Sequence, residues 1–318
     1  MSSGASARAR RPVILDCDPG HDDALALLLA LQRPELEVLG VTTVAGNATL
    51  ENTTHNALSV LTLIERTDIP VAAGAEGPLR RPLQTAAHVH GASGLEGAEL
   101  PAPASAPVAE HAVEFMAGLI EASAVPVTLV ATGPLTNVAL LRQQQPAAFA
   151  QVGHICLMGG AIGEGNITAS AEFNIWVDPE AAAEVFEGGR PVTMIGLDVT
   201  HKAIVTHADA DRLAQRGNRT GRVFADLLHF FARFHVQRYG WDGSPVHDAV
   251  AVAHVLQAGL VATAPYRVDV EVDSELTRGR TVVDIRGLSN RAPNAEVGLD
   301  IDRPRFVEML IEAVASFP

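Results

Sequence analysis

The stretch VILDCDPGHDD, residues 13–23, joins a short apolar run directly to four carboxylates and decides how the chain begins to fold. Pro19 and Gly20 within it favour a bend, and a long apolar helical pattern follows from Ala24. Two like charges 4 Å apart repel by about 4 kcal/mol at an effective dielectric of about 20. A fold that gathers the four acids therefore needs a metal ion, shared protons or a polar substrate between them.

Beyond this stretch, apolar β-rich runs alternate with helical patterns, which predicts crossover units and a parallel sheet. We expect an α/β fold: an open, mostly parallel, Rossmann-like central sheet flanked by helices. The predicted strands are 12–16, 38–44, 70–73, 126–131, 152–158 and 191–197, and the predicted helices are 22–32, 51–66, 111–122, 135–142, 179–187, 221–239, 245–260 and 303–315. An antiparallel pair is expected around 268–274 and 281–286. Residues 1–11 are predicted to be a disordered tail, and residues 12–318 a single domain.

The composition narrows the classes of partner. The 318 residues carry 23 Lys and Arg against 37 Asp and Glu, a formal net charge of -14, which disfavours nucleic acids and phosphorylated substrates. Cys17 and Cys156 form no disulfide framework, as expected for a reducing cytoplasm. The sequence has no apolar stretch of membrane-spanning length, and its N-terminus lacks the apolar middle of a secretory signal. We therefore predict a cytoplasmic protein with no membrane partner.

The four acids, Asp16, Asp18, Asp22 and Asp23, offer only oxygen ligands. Capping of the turn and of the helix explains two of them but hardly four. Oxygen ligands indicate a hard cation such as Ca²⁺ or Mg²⁺, and the absence of paired cysteines and of a His-Glu-x-x-His element argues against zinc. An EF-hand is excluded because a histidine stands where its turn glycine belongs.

Polar side chains recur where predicted strands end. Asn47 follows the second strand, Thr132 follows the fourth, and Met158 precedes a pair of glycines after the fifth. A glycine-rich loop then adds amide and carboxylate groups at Asn166, Glu172 and Asn174. Ligands of open parallel sheets bind beyond the carboxyl ends of the strands, so this set predicts a site for a polyhydroxyl ligand.

Histidines and aromatic residues suggest a second kind of contact. His88 and His90 could form a metal pair or a loop that contacts a planar base, and Val246-His247-Asp248 opens an apolar helix. A stripe of four phenylalanines between residues 224 and 234 is interpreted as core packing. Tyr239 and Trp241 are better candidates for contact with a planar ligand.

Seven motifs, in this order along the chain, resemble those of the inosine-uridine preferring nucleoside hydrolases. They are DCDPGHDDA (16–24), VAGN (44–47), HVHG (88–91), TGPLTN (132–137), LMGG (157–160), AEFN (171–174) and VHD (246–248). The similarity runs from about residue 12 to the C-terminus. It implies the fold of that family and hydrolysis of the N-glycosidic bond of ribonucleosides to free base and ribose.

The resemblance also implies the ligands of a metal ion and the catalytic groups. One Ca²⁺ per subunit is expected on Asp18, Asp23, the carbonyl of Thr132 and Asp248, where it would hold the attacking water and the ribose diol. Asp18 is expected to act as the general base. His247 matches a family histidine placed near the departing base.

The remaining substrate contacts are carried over in the same way. The resemblance assigns the ribose diol to Asp22 and Asn174, and the 5′-hydroxyl to Asn166 and Glu172. Packing against the sugar falls to Met158. The full predicted substrate-binding set is Asp22, Asn47, His90, Met158, Asn166, Glu172, Asn174, Tyr239 and His247.

The motifs GNIT (165–168) and QRYG (237–240) resemble those of bacterial pyrimidine-preferring members, which predicts uridine and cytidine as substrates. His235 stands where those members tend to have glutamine, so a broad purine and pyrimidine specificity is the alternative. Two other hypotheses are a Mg²⁺-dependent phosphohydrolase with Asp16 as nucleophile, and a non-catalytic nucleoside- or ribose-binding protein. The family resemblance further implies a homo-oligomer, a tetramer or a dimer.

Overall fold

A computed structural model describes residues 10–318. Its strands are β1 (Arg11–Cys17), β2 (Leu36–Thr43), β3 (Val71–Ala73), β4 (Thr128–Ala131), β5 (His154–Met158), β6 (Val192–Ile195), β7 (Ile204–Thr206), β8 (Gly243–Pro245), β9 (Val261–Tyr266), β10 (Val268–Val270), β11 (Thr281–Val283) and β12 (Ala295–Ile301). Its helices are α1 (His21–Gln32), α2 (Leu50–Leu63), α3 (Ala87–His90), α4 (Ala112–Ala122), α5 (Thr136–Gln144), α6 (Pro146–Phe149), α7 (Phe173–Val177), α8 (Pro179–Phe186), α9 (Leu197–Thr200), α10 (His207–Ala214), α11 (Arg219–Tyr239), α12 (His247–Leu256) and α13 (Arg303–Ala315). Of the predicted tail, residues 1–9 lie outside the described residues, and Arg11 already belongs to β1.

Eight of these strands form one sheet in the order β3-β2-β1-β4-β5-β6-β12-β9. Every neighbouring pair is parallel except β12 and β9, which confirms the predicted mostly parallel α/β architecture. The strand order changes direction between β1 and β4. Ligands of open α/β sheets bind at such a point, beyond the carboxyl ends of the strands.

Two apolar layers cover the sheet, because successive side chains of a strand point to opposite faces. Val13 and Leu15 of β1 pack into the layer that contains α1, α2, α12 and α13, whereas Ile14 faces the layer of α4, α5 and α8. Helix α1 is buried from His21 to Ala30, as expected for a helix that is apolar on every side. Each fully buried leucine contributes about 1.5–3 kcal/mol, so α1 is held firmly against the sheet.

The sequence patterns missed the far edge of the sheet. The pattern of β12, AEVGLDI, alternates apolar residues with Glu296, Gly298 and Asp300, which is the signal of a half-buried strand that the prediction overlooked. β12 lies parallel to β6. Helix α12 ends at Leu256 rather than near 260, because the chain turns there into β9. The predicted antiparallel pair is confirmed as β10 and β11. No helix within residues 10–318 combines the length and apolar character that crossing a membrane requires.

Candidate active site

The four acids of the opening stretch lie where β1 passes into α1, at the change of strand direction. Asp22 and Asp23 stand in the first turn of α1, where the helix dipole favours negative charge. The backbone N–H of Gly20 donates to Asp23 Oδ2 at 3.0 Å. Asp16 accepts hydrogen bonds from the Thr42 hydroxyl at 2.6 Å and from Asn137 Nδ2 at 2.8 Å, so it ties the end of β1 to β2 and α5.

Three carboxylates converge beside this turn. Oxygens of Asp22, Asp23 and Asp248 lie within 4.8 Å of one another, and all three side chains are buried. Asp248 reaches the cluster from the first turn of α12. The Thr132 hydroxyl, just beyond β4, donates to Asp23 Oδ1 at 2.8 Å. Such an oxygen-rich, buried cluster can hold a metal ion.

Asp18 adjoins the cluster with one oxygen fixed and one unpartnered. Its Oδ2 accepts the backbone N–H of Asn47 at 2.6 Å, while its buried Oδ1 has no hydrogen-bond partner within residues 10–318. A side chain at Gly46 would put a Cβ 2.1 Å from Oδ2, so only glycine lets the loop come this close. A buried, unpartnered carboxylate oxygen is costly unless a proton, a cation or a water molecule meets it.

The protonation of these acids reflects their crowding. Burial, and after it the neighbouring carboxylates, raises the pKa of Asp18 and of Asp248 well above the ordinary range. The same two causes raise the pKa of Asp22 to about 7, and burial raises the pKa of Asp23. The cluster therefore needs positive charge to ionise fully, and a divalent cation would supply it.

Two asparagine side chains along the cavity are oriented by hydrogen bonds to the backbone. Asn174 Nδ2 donates to the carbonyls of Thr132 at 2.7 Å and Met158 at 3.1 Å, which leaves its Oδ1 as an acceptor. Asn166 Oδ1 accepts the N–H of Phe173 at 2.9 Å, which leaves its Nδ2 as a donor. The chain thus presents an acceptor and a donor at different points of the cavity wall.

Glu172 caps α7 from a buried position. Its carboxylate accepts backbone N–H groups of Gly160 at 2.9 Å, Asn174 at 3.0 Å and Ile175 at 3.2 Å. Burial nevertheless raises the pKa of Glu172 to about 7. Most of its acceptor capacity is used in holding the loop around α7.

The opposite end of the cavity is built from rings. One cavity joins these rings to the acidic end. The ring residues in its lining are His88, His90, His201, Phe231, Phe234, His235, Tyr239 and His247. His247 Nδ1 lies 2.7 Å from the Thr200 hydroxyl. Burial lowers the pKa of His247 well below its ordinary value and that of His235 to about 4. These imidazoles are therefore neutral near pH 7.

A known family matches this arrangement along almost the whole chain. The model of the inosine-uridine preferring nucleoside hydrolases covers residues 13–308. The chain belongs to this family.

Relatives and solved structures agree with that assignment. The pyrimidine-specific ribonucleoside hydrolase RihA of Salmonella arizonae is 51% identical over 307 residues, which cover 96% of this chain and 99% of the relative. The RihA of Klebsiella pneumoniae strain 342 is 50% identical over the same shares. A purine-preferring ribonucleoside hydrolase from Gardnerella vaginalis has the same fold, with a TM-score of 0.90 at 32% identity over 96% of this chain and 98% of its own. A plant nucleoside hydrolase superposes with a TM-score of 0.89 at 32% identity, over 97% and 100%.

This nucleoside hydrolase gathers the predicted site residues around one cavity. Asp18 and Asp23 lie fully buried behind its wall. The others line the cavity: Asp22, Asn47, His90, Thr132, Met158, Asn166, Glu172, Asn174, Tyr239, His247 and Asp248.

The structure adds detail to two interpretations of the aromatic residues. His88 and His90 do not form a metal pair: the His90 ring contacts His21, whereas the His88 ring packs edge-on against Phe234. Phe231 and Phe234, interpreted as core, also form cavity wall. Sequence reasoning missed His201 altogether, because its only signal, a histidine after a short apolar run, is too common to be specific.

Proposed function

We propose that this nucleoside hydrolase acts chiefly on uridine and cytidine, with one bound Ca²⁺ and an aspartate general base. The observation that carries the base preference is the identity of about half of all residues, over nearly the whole chain, with relatives named pyrimidine-specific. The buried acidic cluster beside a cavity that also has polar and aromatic walls supports the mechanism.

Asp18, Asp23, Asp248 and the carbonyl of Thr132 would hold the ion. These residues fit a hard cation because they offer only oxygens: carboxylate oxygens of Asp23 and Asp248 lie within 4.8 Å of each other, and Asp18 Oδ1 is buried without a hydrogen-bond partner in the described part of the chain. When bound, Ca²⁺ supplies positive charge that polarises a water molecule and the ribose hydroxyls.

Asp18 takes the proton of the attacking water. Its Oδ2 is held by the N–H of Asn47, so the carboxylate is fixed in orientation while Oδ1 stays available. A positioned general base of this kind contributes about 10²- to 10⁴-fold in rate. The neighbouring acids also stabilise the positive charge that builds on the ribosyl ring as the N-glycosidic bond breaks.

The ribose is recognised through its hydroxyls. Asp22 and Asn174 Oδ1 accept hydrogen bonds from the 2′- and 3′-hydroxyls, and Asn166 Nδ2 donates to the 5′-hydroxyl. A 2′-deoxy sugar leaves a buried acceptor unpaired, so it is a poor substrate. The carboxylate of Glu172 repels a 5′-phosphate and so favours nucleosides over nucleotides.

The base lies against the rings at the other end. His90 and Tyr239 contact it, and His247, which is held by Thr200, is placed to donate a hydrogen bond as the base departs. Aromatic rings can stack on any planar base. The preference between bases therefore depends on the few polar atoms among the rings.

We further propose a cytoplasmic homo-oligomer. Leu276 and Leu288 are 85% and 78% exposed beside the β10–β11 pair, an apolar surface that a second copy can cover. Both cysteines are buried free thiols, as a reducing compartment allows. Light scattering on the purified protein measures the assembly; a monomer at micromolar concentration contradicts it.

The deciding experiment incubates the protein with uridine, cytidine, inosine and uridine monophosphate, with and without a chelator, and measures free ribose. We expect ribose from uridine and cytidine, less from inosine, none from the monophosphate, and none after chelation. No ribose from any nucleoside contradicts the hydrolase mechanism, and equal rates for inosine and uridine favour broad specificity. Phosphate release from the monophosphate would instead identify a phosphohydrolase.

A further inference from the structure

His21, the first residue of α1, is buried behind the ring end of the cavity. Its imidazole lies parallel to the ring of Phe231 at 5.1 Å and stacks on Phe230 at 5.5 Å. It also stacks on the ring of His90 at 5.2 Å. His21 is 1% exposed, whereas His90 lines the cavity. Any influence of His21 on a ligand therefore acts through His90.

The hydrogen bonds of His21 fix where its ring proton lies. His21 Nε2 is 2.7 Å from the backbone carbonyl of Glu96, and a carbonyl can only accept, so Nε2 carries the proton. A neutral imidazole has one ring proton, which leaves His21 Nδ1 as an acceptor. His21 Nδ1 lies 3.0 Å from His90 Nδ1, so His90 Nδ1 must be the donor.

The opposite arrangement requires a doubly protonated His21. Its backbone N–H also points at His90 Nδ1, but at 3.5 Å this contact is much longer than the bond between the rings. A charged His21 would be a buried cation among aromatic rings; the Glu96 carboxylate attracts it, but burial outweighs this and lowers the pKa of His21 to about 4. Burying an unpaired charge costs more than the weak backbone contact returns.

The consequence for His90 follows from its single ring proton. With the proton on Nδ1, Nε2 is a bare acceptor, and in the described part of the chain it has no hydrogen-bond partner. The ring is held closely, because a Cβ at Gly20 would lie 2.7 Å from His90 Nδ1. The cavity thus has a fixed acceptor at its ring end.

We propose that His21 is a positioning residue that sets the tautomer of His90, so that His90 Nε2 accepts a hydrogen bond from an N–H group of the base. The proposal rests on the proposed function, since it assumes that a nucleoside base occupies this end. A uracil linked through N1 has one N–H group, at N3, and cytosine offers its 4-amino group. His90 Nε2 is then unable to donate a hydrogen bond to the departing base, which leaves that contact to His247.

The tautomer can be measured without any substrate. Wild-type protein labelled with ¹⁵N-histidine is studied by two-dimensional NMR that correlates ring nitrogens with carbon-bound ring protons, and the His90 signals are assigned from a His90→Gln sample. We expect a protonated Nδ1 and an unprotonated Nε2 for His90, and a protonated Nε2 for His21. A protonated Nε2 on His90 overturns the proposal, whatever the activity of the protein.

Two matched variants test the consequence for turnover. His21→Asn keeps an acceptor for His90 and a donor for the Glu96 carbonyl, whereas His21→Leu keeps the volume and loses both. We expect KM for uridine to rise at least tenfold in His21→Leu with kcat changed less than threefold. His21→Asn should restore KM to within about threefold of wild type. Equal defects in two variants that melt like wild type indicate a purely structural His21 and overturn the proposal.

A uridine analogue without the N3–H group tests the hydrogen bond to His90 separately from steric effects. 3-Methyluridine lacks the only N–H of uracil, so wild type should hydrolyse it at least tenfold less efficiently than uridine. In His21→Leu the ratio between the two substrates should fall to threefold or less, because the steric part of the penalty alone remains. An unchanged ratio contradicts a hydrogen bond set by His21. If wild type releases ribose from neither substrate, the proposed function fails, while the NMR result still decides the tautomer.

Discussion

The acidic end of the cavity and its ring end are built by different means. At the acidic end, backbone groups fix the functional side chains: Asn47 N–H holds Asp18, Gly20 N–H holds Asp23, and two carbonyls hold Asn174. At the ring end, side chains from α3, α11 and α12 pack on one another, and few hydrogen bonds orient them. Backbone hydrogen bonds thus fix the side chains of the acidic end, whereas the positions of the rings depend more on packing, which substitutions can alter.

This difference explains how one fold serves several bases. The Gardnerella enzyme is named purine-preferring and the RihA relatives pyrimidine-specific, yet the fold of this chain matches the first and its sequence the second. Changes at the acidic end should therefore abolish activity on all nucleosides. Changes at the ring end should shift preference between them.

The largest expected effect is that of Asp18→Asn, which removes the base but keeps the shape. We expect kcat for uridine and inosine to fall alike, by about 10⁴-fold, at the upper end of the range for a general base. Exposed Asp226 provides a matched control, since Asp226→Asn should change neither. Retention of more than a few per cent of activity removes Asp18 from the role of base.

Cation binding should stabilise the acidic end. At a Ca²⁺ concentration of about 1,000 times Kd, linkage adds about 4 kcal/mol, which corresponds to a rise in Tm of about 8 °C. Asp248→Asn should abolish most of that rise, whereas Asp242→Asn, at an exposed site, should preserve it. Differential scanning calorimetry with and without chelator measures both. A Tm that does not change when Ca²⁺ is added contradicts the metal assignment.

The chelated protein should lose stability as pH rises. Burial raises the pKa of Glu172 to about 7 from 4.5, so between these pH values the folded state binds more protons than the unfolded chain. The contribution of Glu172 to the free energy of unfolding is fully present below pH 4.5. About 3 kcal/mol of it is lost as the pH rises from 4.5 through 7. Urea unfolding at pH 5 and pH 8 should show a smaller loss for Glu172→Gln. The same loss as in the exposed control Glu76→Gln would argue against this assignment.

At the ring end, His247→Ala should separate the two base classes. We expect kcat/KM to fall about tenfold more for inosine than for uridine, because a departing purine depends more on the hydrogen bond from His247. His55→Ala, at an exposed site on α2, should leave both unchanged. Equal losses for inosine and uridine would count against a leaving-group role.

The smallest effect is expected at Tyr239. Its ring stacks on Trp241 at 4.6 Å and is 38% exposed. Removing one aromatic contact costs about 1 kcal/mol, so Tyr239→Ala should raise KM for uridine about fivefold and leave kcat unchanged. Tyr239→Phe keeps the ring and should behave as wild type. A Tyr239→Phe variant as impaired as Tyr239→Ala would show that the hydroxyl, not the ring, matters.

Local patterns predicted the first six strands of the sheet and the longer helices between them, α1, α2, α4, α5 and α8, because each is a strongly apolar run bounded by turn residues. The short helices α3, α6 and α7 were not predicted. The same reasoning missed β9 and β12. The pattern of β12 alternates apolar residues with Glu296, Gly298 and Asp300 and so did signal a strand, whereas β9, VATAPY, contains two alanines and a proline and has little strand preference of its own. Strand preference at such half-buried positions depends on context.

The acidic end was predictable because four acids around one turn are more than capping explains, and because ligands of open parallel sheets bind beyond the carboxyl ends of the strands. The ring end was less so: His201 and Phe231 look like ordinary helix residues until packing brings them to the cavity. The His88 and His90 pattern was misleading, since α3 turns the two rings to different neighbours.

The sequence by itself determined that four acids meet at the end of a buried strand, because chain order alone places Asp16, Asp18, Asp22 and Asp23 around one turn. Tertiary structure decided which groups each of these four acids contacts. It brought Asp248 from α12 to Asp22 and Asp23, and it left one oxygen of Asp18 without a partner. It also placed the Glu96 carbonyl beside His21. Proton positions depend on such distant partners, and no local pattern records them.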